Sequence, residues 1–263
     1  MNKISLQMFT LREFTSTIDD LEKTVEKLRK IGFEMLQYSV PRTMNVKEVK
    51  RIFENNRIKN DSVFCRALDL EERTSEMLEQ CEIFETNRIR IDSIPRGLTS
   101  SASGYKMFAH YLNEAGAELK RHGKRLLYHF HAFEFMRFSD TTGIEIILAE
   151  TDPETVEIIP DTHWIQSGGK SPEKFLEQYI DRYAYVHTKD FALSEMGEKW
   201  EARPIQFAPV GEGNLDWKKI IKVCRDNNVQ SYAIEQDSCY GRDPFECVKS
   251  SFEFLMKNGV NDL

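Results

Sequence analysis

The sequence lacks any long apolar run, and this absence excludes a membrane-spanning helix. None of its 263 residues belongs to an uninterrupted stretch of about 18 apolar residues, which is the length that such a helix needs. The first residues, MNKISLQMFTLREF, contain no apolar segment typical of a secretion signal. The five cysteines are odd in number and form no C-x-x-C pair, which argues against a disulfide framework and a cysteine zinc site. We therefore expect a protein of the reducing cytoplasm.

Positive charge is also scarce. The chain carries 36 Lys and Arg against 43 Asp and Glu, a formal net charge of −7. Such a surface repels nucleic acid phosphates and acidic membranes, so the expected partner is a small molecule. A homo-oligomer is compatible with these features. Because no low-complexity or proline-rich stretch divides the sequence, we predict a single domain spanning residues 1–263.

The sequence alternates short apolar segments with amphipathic segments of helical spacing. About eight such pairs are present, and this alternation predicts a single (β/α)8 TIM barrel. A doubly wound sheet shares the alternation, but no G-x-G-x-x-G turn follows the first apolar segment. The longest irregular segment, from about Ala192 to Gly213, follows the seventh predicted strand and would lie over the active face as a lid. The expected strands are ISLQMF, EMLQYSV, DSVFCRAL, RIRIDSI, RLLYHFHAF, VEIIPDTHW, YAYVHTKDF and SYAIEQD.

Polar residues end the last four predicted strands, in pairs that share one face because they are two residues apart. In a barrel, these pairs would converge at the mouth formed by the carboxyl ends of the strands. Each residue alone has a structural alternative: Asp161 and Asp237 as helix caps, His129 as a core histidine, and Lys189 as the partner of Asp190 in an ion pair. The pairs are His129 with His131, Asp161 with His163, His187 with Lys189, and Glu235 with Asp237.

Carboxylates and imidazoles that converge in this way are typical ligands of divalent manganese, cobalt or zinc. One residue from each strand, Glu134, Asp161, His187 and Glu235, would leave coordination positions open for a substrate. Glu134 lies on the opposite face from His131, so it joins the other three only if the chain bends after its strand.

The motifs LQMFTLRE, LLYHFHAFEF, PDTHWIQSGGKSP, YVHTKDF, APVGEGNLDW and YAIEQD span nearly the whole chain. Together they resemble the sugar phosphate isomerase/epimerase family of xylose isomerase-like barrels, which also includes inosose dehydratases, ketose 3-epimerases and endonuclease IV. The resemblance implies that Glu134, Asp161, His187 and Glu235 bind one divalent metal ion, with manganese preferred over cobalt, zinc or magnesium. It also implies that Glu134 and Glu235 form the acid/base pair. Two positions depart from the family pattern. Phe130 stands where an asparagine is usual, and Trp164 falls near the position that a substrate-binding histidine has in the ketose 3-epimerases.

These features predict a metal-dependent isomerase or epimerase that acts on a ketose, inosose or keto-sugar through a metal-stabilised enediolate. Loss of a hydroxyl or glycosyl group at the same site would make it a dehydratase or eliminase instead. Two other classes are less favoured: an endonuclease IV-like phosphodiesterase, which the six histidines and net charge of −7 oppose, and a non-catalytic sugar-binding barrel, which the complete ligand set opposes. The residues expected to bind substrate are His131, His163, Lys189, Asp237 and Trp200.

Overall fold

The computed structural model describes residues 3–194 and 205–260. Its strands are β1 (Ile4–Gln7), β2 (Met35–Gln37), β3 (Lys59–Asn60), β4 (Val63–Phe64), β5 (Arg88–Ile91), β6 (Arg125–His129), β7 (Arg137–Phe138), β8 (Thr141–Thr142), β9 (Val156–Ile159), β10 (Tyr185–Thr188), β11 (Asp190–Leu193), β12 (Ile205–Ala208) and β13 (Ser231–Ile234). Its α-helices are α1 (Ile18–Ile31), α2 (Val46–Asn55), α3 (Leu70–Phe84), α4 (Ala102–Arg121), α5 (Gly143–Glu150), α6 (Thr162–Ser167), α7 (Pro172–Gln178), α8 (Trp217–Asp226) and α9 (Pro244–Lys257).

The parallel strands form a closed ring. One run of neighbours is β10, β13, β1, β2 and β3, and a second is β4, β5, β6 and β9. Strands β3 and β4 are successive parts of one ring position, and a bridge between Asp161 and His187 joins the end of β9 to β10. The predicted (β/α)8 TIM barrel is therefore confirmed, and each segment expected to be a barrel strand contributes to the ring.

Helix α1 illustrates how local sequence sets these elements. The Thr17 side chain accepts a hydrogen bond from the Asp20 N–H at 3.1 Å and so caps the first turn. Gly32 ends the helix with a φ of 124°, a conformation that glycine adopts without steric cost. Between these ends, Leu21, Val25 and Leu28 fall on one face and are fully buried against the barrel.

The core lies between the barrel strands and the surrounding helices. Phe130, one of the two departures from the family pattern, belongs to it: the side chain is fully buried, and its ring lies 5.8 Å from that of Phe135 and 5.6 Å from that of Phe175. The phenylalanine thus contributes to packing under the helices.

The segment expected to form a lid is partly regular. Strands β11 and β12 pair antiparallel at its base, and Trp200 lies outside the described residues. The carboxylate of Asp190 then accepts hydrogen bonds from the N–H groups of Gly211 at 2.8 Å and Gly213 at 3.0 Å, and from Trp217 Nε1 at 2.6 Å. The VGEG turn, part of the APVGEGNLDW motif, therefore binds a carboxylate of its own chain.

Within residues 3–194 and 205–260, no helix has the length and apolar character needed to traverse a bilayer. All five cysteines are free, and four of them are buried.

Candidate metal centre

A cavity of about 540 Å³ opens at the carboxyl ends of the barrel strands. Its lining has a polar part and an apolar part. The polar part includes several of the residues that the sequence placed at the strand ends: His129, His131, Lys189, Glu235 and Asp237, together with Asp92. The apolar part includes Met8, Phe9, Tyr38, Pro41 and Phe64. This combination is typical of a site that binds a small organic molecule.

Four buried side chains at this mouth form a group suited to a metal ion. The ligand atoms offered by His129, Asp161, His187 and Glu235 all lie within 4.8 Å of one another. His129 Nε2 is 3.4 Å from Asp161 Oδ2, and His187 Nδ1 is 3.0 Å from Glu235 Oε2. Two imidazole nitrogens and two carboxylate oxygens form a donor set that fits manganese, cobalt or zinc better than magnesium.

Each of the four is positioned by the end of a strand. His129 is the last residue of β6, His187 lies within β10, and Glu235 follows β13 directly. Asp161 caps α6, since its Oδ1 accepts from the Trp164 N–H at 3.0 Å, while its Oδ2 faces His129. The structural alternative considered for Asp161 is thus real, and the same carboxylate also faces the cluster.

Lys189 sits among the same carboxylates. Its Nζ lies 3.2 Å from Asp161 Oδ2, 3.0 Å from Glu235 Oε2 and 3.0 Å from Asp237 Oδ1. The contact with Asp237 is an ion pair that does not meet hydrogen-bond geometry. Burial disfavours the charged form, but the three carboxylates outweigh it and raise the pKa of Lys189. The lysine is therefore a permanent cation at the base of the cavity.

The same charges shift the pKa values of Asp161 and Asp237 in opposite directions. Burial acts to raise the pKa of Asp161, but Lys189 and a hydrogen bond from His129 outweigh burial and lower it to about 2. Burial and the neighbouring charge of Glu235 raise the pKa of Asp237 to about 6. Asp161 is thus the more firmly ionised of the two.

Glu134 occupies a bend, as its proposed role requires, but its oxygens face other partners. After β6 the chain forms a 3-10 helix, Ala132–Phe135, and the Glu134 carboxylate inside it is fully buried. It accepts hydrogen bonds from the Tyr128 hydroxyl and from the His131 N–H, the latter at 2.9 Å. Burial raises the pKa of Glu134 to about 7. It is neither in the group of four nor among the residues that line the cavity, so its role as a ligand and base stays a prediction.

The expected substrate-binding histidines differ in position. His131 lines the cavity, and its buried Nδ1 has no hydrogen-bond partner. Burial, followed by the charges of His129 and Lys189, lowers the pKa of His131 to about 3, so the ring is neutral at pH 7. His163 was expected on a strand face beside Asp161, but β9 ends at Ile159 and His163 lies on α6. There its Nδ1 bonds the Asp190 carbonyl at 2.9 Å, and it does not line the cavity.

Trp164 lies close to the site. Its ring is 5.4 Å from that of His131 and 5.0 Å from Lys189 Nζ, and its buried Nε1 has no hydrogen-bond partner. The aromatic ring thus stands where the resemblance expected a substrate-binding histidine.

Three residues of the early strands were missed. Gln37 at the end of β2 is buried and contacts His187, and Arg90 in β5 is buried and contacts Gln37. Asp92 lines the cavity, and its Oδ1 lies 2.5 Å from Arg90 Nε. The sequence contained a signal for Arg90. In RIRID, Arg90 alternates with Ile89 and Ile91, a pattern that points one charged side chain away from the apolar neighbours.

Comparison with known proteins identifies the family. Residues 25–257 match the family model described as xylose isomerase-like TIM barrel, so the chain belongs to this family. An inosose dehydratase of Clostridium perfringens is 29% identical over 144 residues, which cover 51% of this chain and 48% of the relative. The chain thus matches about half the length of this curated relative.

Solved structures agree on the fold. A sugar phosphate isomerase/epimerase from Parabacteroides distasonis superposes with a TM-score of 0.79 at 20% identity, covering 97% of this chain and 94% of the other. A probable 3-DHS dehydratase involved in petrobactin synthesis in Bacillus anthracis superposes with a TM-score of 0.75 at 15% identity, covering 97% and 99%. At such identities the likeness extends to the fold alone.

Proposed function

We propose that this member of the xylose isomerase-like TIM barrel family is a divalent-metal-dependent enzyme that removes a proton beside the carbonyl of a small keto-sugar or keto-polyol. The observation that carries the proposal is the buried group of His129, Asp161, His187 and Glu235 at the base of the cavity. Burying several ionisable groups together is costly unless opposite charge compensates them. Lys189 supplies one positive charge to Asp161 and Glu235, and a divalent ion bound by the four residues would supply further positive charge.

Asp161, His187 and Glu235 belong both to the expected ligand set and to the observed group. The fourth position is open to His129, which is already in place, or to Glu134, which would have to give up its bonds to Tyr128 and His131. A bound divalent ion supplies positive charge that polarises a carbonyl and makes the neighbouring C–H bond more acidic. Manganese is our first choice, with cobalt and zinc next.

The proton transfers require an acid/base pair beside the substrate. Glu235 faces the cavity and is our candidate for one member of the acid/base pair. Glu134 remains the candidate for the other member by family resemblance, and His131 is its rival, because it lines the cavity and Glu134 does not. Lys189, held as a cation, would orient substrate hydroxyls.

We favour dehydration as the outcome. The C–H bond beside the carbonyl breaks, a carbon–carbon double bond forms, and the hydroxyl on the next carbon leaves as water after it receives a proton. Two observations support this outcome: the curated relatives include inosose dehydratases, and Lys189 and Asp237 line the cavity as a paired cation and carboxylate that can assist a leaving hydroxyl. If the proton returned to carbon before the hydroxyl left, the product would be an epimer or isomer.

The test is proton exchange in deuterated water. Metal-loaded protein would be incubated with inososes, ketoses and 3-keto-glycosides, and NMR and mass spectrometry would follow deuterium uptake and loss of water. We expect exchange with at least one substrate, accompanied by loss of water. Exchange alone would indicate an epimerase or isomerase, and neither signal with any substrate would contradict the proposal.

Matched variants assign the base. We expect Glu235→Gln to lose at least about 100-fold in turnover, in the range of a general base. A comparable loss in Glu134→Gln with an active His131→Gln would identify Glu134 as the partner, and the reverse pattern would identify His131. The control is Glu253→Gln on the exposed face of α9, which should keep full turnover.

A further inference from the structure

A network of buried polar side chains begins at His187, on the edge of its ring that faces away from Glu235. His187 Nε2 lies 2.9 Å from Gln37 Oε1, and the same oxygen lies 3.1 Å from an Arg90 guanidinium nitrogen. All three side chains are at most 1% exposed. Gln37 and Arg90 do not belong to the ligand set that the sequence predicts. Gln37 nevertheless contacts one of its members, His187, and Arg90 contacts the same Gln37 oxygen.

The orientation of the Gln37 amide follows from Arg90. A guanidinium only donates hydrogen bonds, so the end of the amide that faces Arg90 must be its oxygen. The amide nitrogen then faces Asp61 Oδ2, an acceptor, at 3.2 Å. Arg90 is itself fixed by Asp92 at 2.5 Å and by the Ser62 hydroxyl at 3.1 Å, so this orientation is built into the fold.

The oriented amide in turn determines which nitrogen of the His187 ring carries a hydrogen. Because Gln37 Oε1 only accepts, His187 Nε2 must carry a hydrogen. The other nitrogen, Nδ1, then faces Glu235 Oε2 at 3.0 Å. A metal-binding nitrogen must be unprotonated, so a metal ion bound at this position would displace any hydrogen that Nδ1 shares with Glu235.

We propose that Gln37 and Arg90 are positioning residues, which keep a hydrogen on His187 Nε2 and so present Nδ1 and Glu235 Oε2 as adjacent ligands. This inference rests on the proposed metal-dependent function. Outer partners of metal-bound histidines fix ring orientation in this way, and their loss typically lowers metal affinity by about 10–100-fold.

The primary test measures the tautomer directly in metal-free protein. With ¹⁵N-labelled histidine, long-range ¹H–¹⁵N correlation spectra distinguish protonated from unprotonated ring nitrogens, and a His187→Gln sample assigns the signals. We expect a hydrogen on Nε2. An unprotonated Nε2, with the hydrogen on Nδ1 alone, would overturn the inference without any variant having to fold.

Variants extend the test to affinity. Gln37→Leu removes the acceptor, so we expect mixed tautomers and a manganese dissociation constant raised by about 10–100-fold. Gln37→Glu keeps an acceptor oxygen for both His187 and Arg90, so we expect it to restore the tautomer and most of the affinity. The control is Gln80→Leu, the same change at a buried glutamine of α3 that bonds Glu76 instead.

The outcomes separate this inference from the proposed function. Manganese binding that is equally tight in Gln37→Leu and wild type, with an unchanged tautomer, overturns the positioning role and leaves the metal function standing. A wild type that binds no divalent ion overturns the proposed function and, with it, the role of Nδ1 as a metal ligand.

Discussion

The Nζ atom of Lys189 lies 3.0 Å from Glu235 Oε2, inside a group of carboxylates that would also face a bound metal ion. Removing the ammonium in Lys189→Met leaves buried carboxylates without their cation. Breaking a buried ion pair in this way typically costs about 3–5 kcal/mol, so we expect the metal-free variant to unfold at a lower temperature. Because a divalent ion would compensate the same carboxylates, manganese should raise the unfolding temperature of the variant more than that of the wild type.

Calorimetry with and without manganese measures both effects. The matched control is Lys219→Met, which removes an exposed ion pair with Asp216 and should change stability by no more than about 1 kcal/mol. An equal manganese effect on Lys189→Met and wild type would mean that the lysine and the ion do not compensate the same charges.

Asp190 organises the loop that follows the barrel's seventh position. Asp190→Ala removes the acceptor of the Gly211 and Gly213 N–H groups and of the buried Trp217 Nε1. A buried donor left unsatisfied costs about 1–3 kcal/mol, so we expect a loss of about that size in the free energy of unfolding. Urea denaturation would measure it, with the exposed Asp181→Ala as control. A loss below about 1 kcal/mol would show that the turn does not depend on this carboxylate.

The pair formed by Arg90 and Asp92 predicts a pH dependence of stability. Burial acts to raise the pKa of Asp92, but the guanidinium outweighs it and lowers that pKa. A carboxylate whose folded pKa lies below its unfolded value, about 3.9, stabilises the protein fully above that value and progressively less as the pH falls below it. Asp92→Asn should therefore be less stable than wild type at pH 7, and the difference should shrink at pH 3. Denaturant titrations at both values check this, and a constant difference would contradict the assigned pKa.

Gly143 allows the turn that contains Glu134 to pack closely. A methyl group at this position would lie 2.5 Å from the Tyr105 ring and 2.9 Å from the Glu134 carbonyl oxygen. Overpacking of this kind typically costs about 1–3 kcal/mol, so Gly143→Ala should unfold at a lower temperature. Gly97→Ala is the control, because nothing lies within 4 Å of its added methyl. Equal unfolding temperatures for the two variants would refute this account of the packing.

Much of this architecture could be predicted from the sequence, because alternation and helix signals are local. The Thr17 cap and the Gly32 ending of α1 are examples, and the order of such elements leads directly to a barrel. Asp161, His187 and Glu235 could also be found, since each lies at or just past a strand end, where the barrel brings side chains together.

The remaining features of the site could not be predicted from the alternation of side chains between the two faces of a strand. His163 was misplaced because the chain turns into α6 immediately after β9, which ends the alternation of faces. The hydrogen bonds of Glu134 depend on the 3-10 turn after β6. Gln37 and Arg90 come from strands far away in sequence and meet His187 only when the barrel closes, so no local pattern reveals their contact.

The most direct test of the central claim is the metal content of the purified protein. Plasma mass spectrometry would compare the wild type with a variant carrying Asp161→Ala and His187→Ala, after each protein is incubated with manganese, cobalt or zinc and desalted. The account predicts about one equivalent of a divalent metal in the wild type and none in the folded variant. A wild type that retains no metal after any incubation, or a variant that retains as much as the wild type, would contradict it.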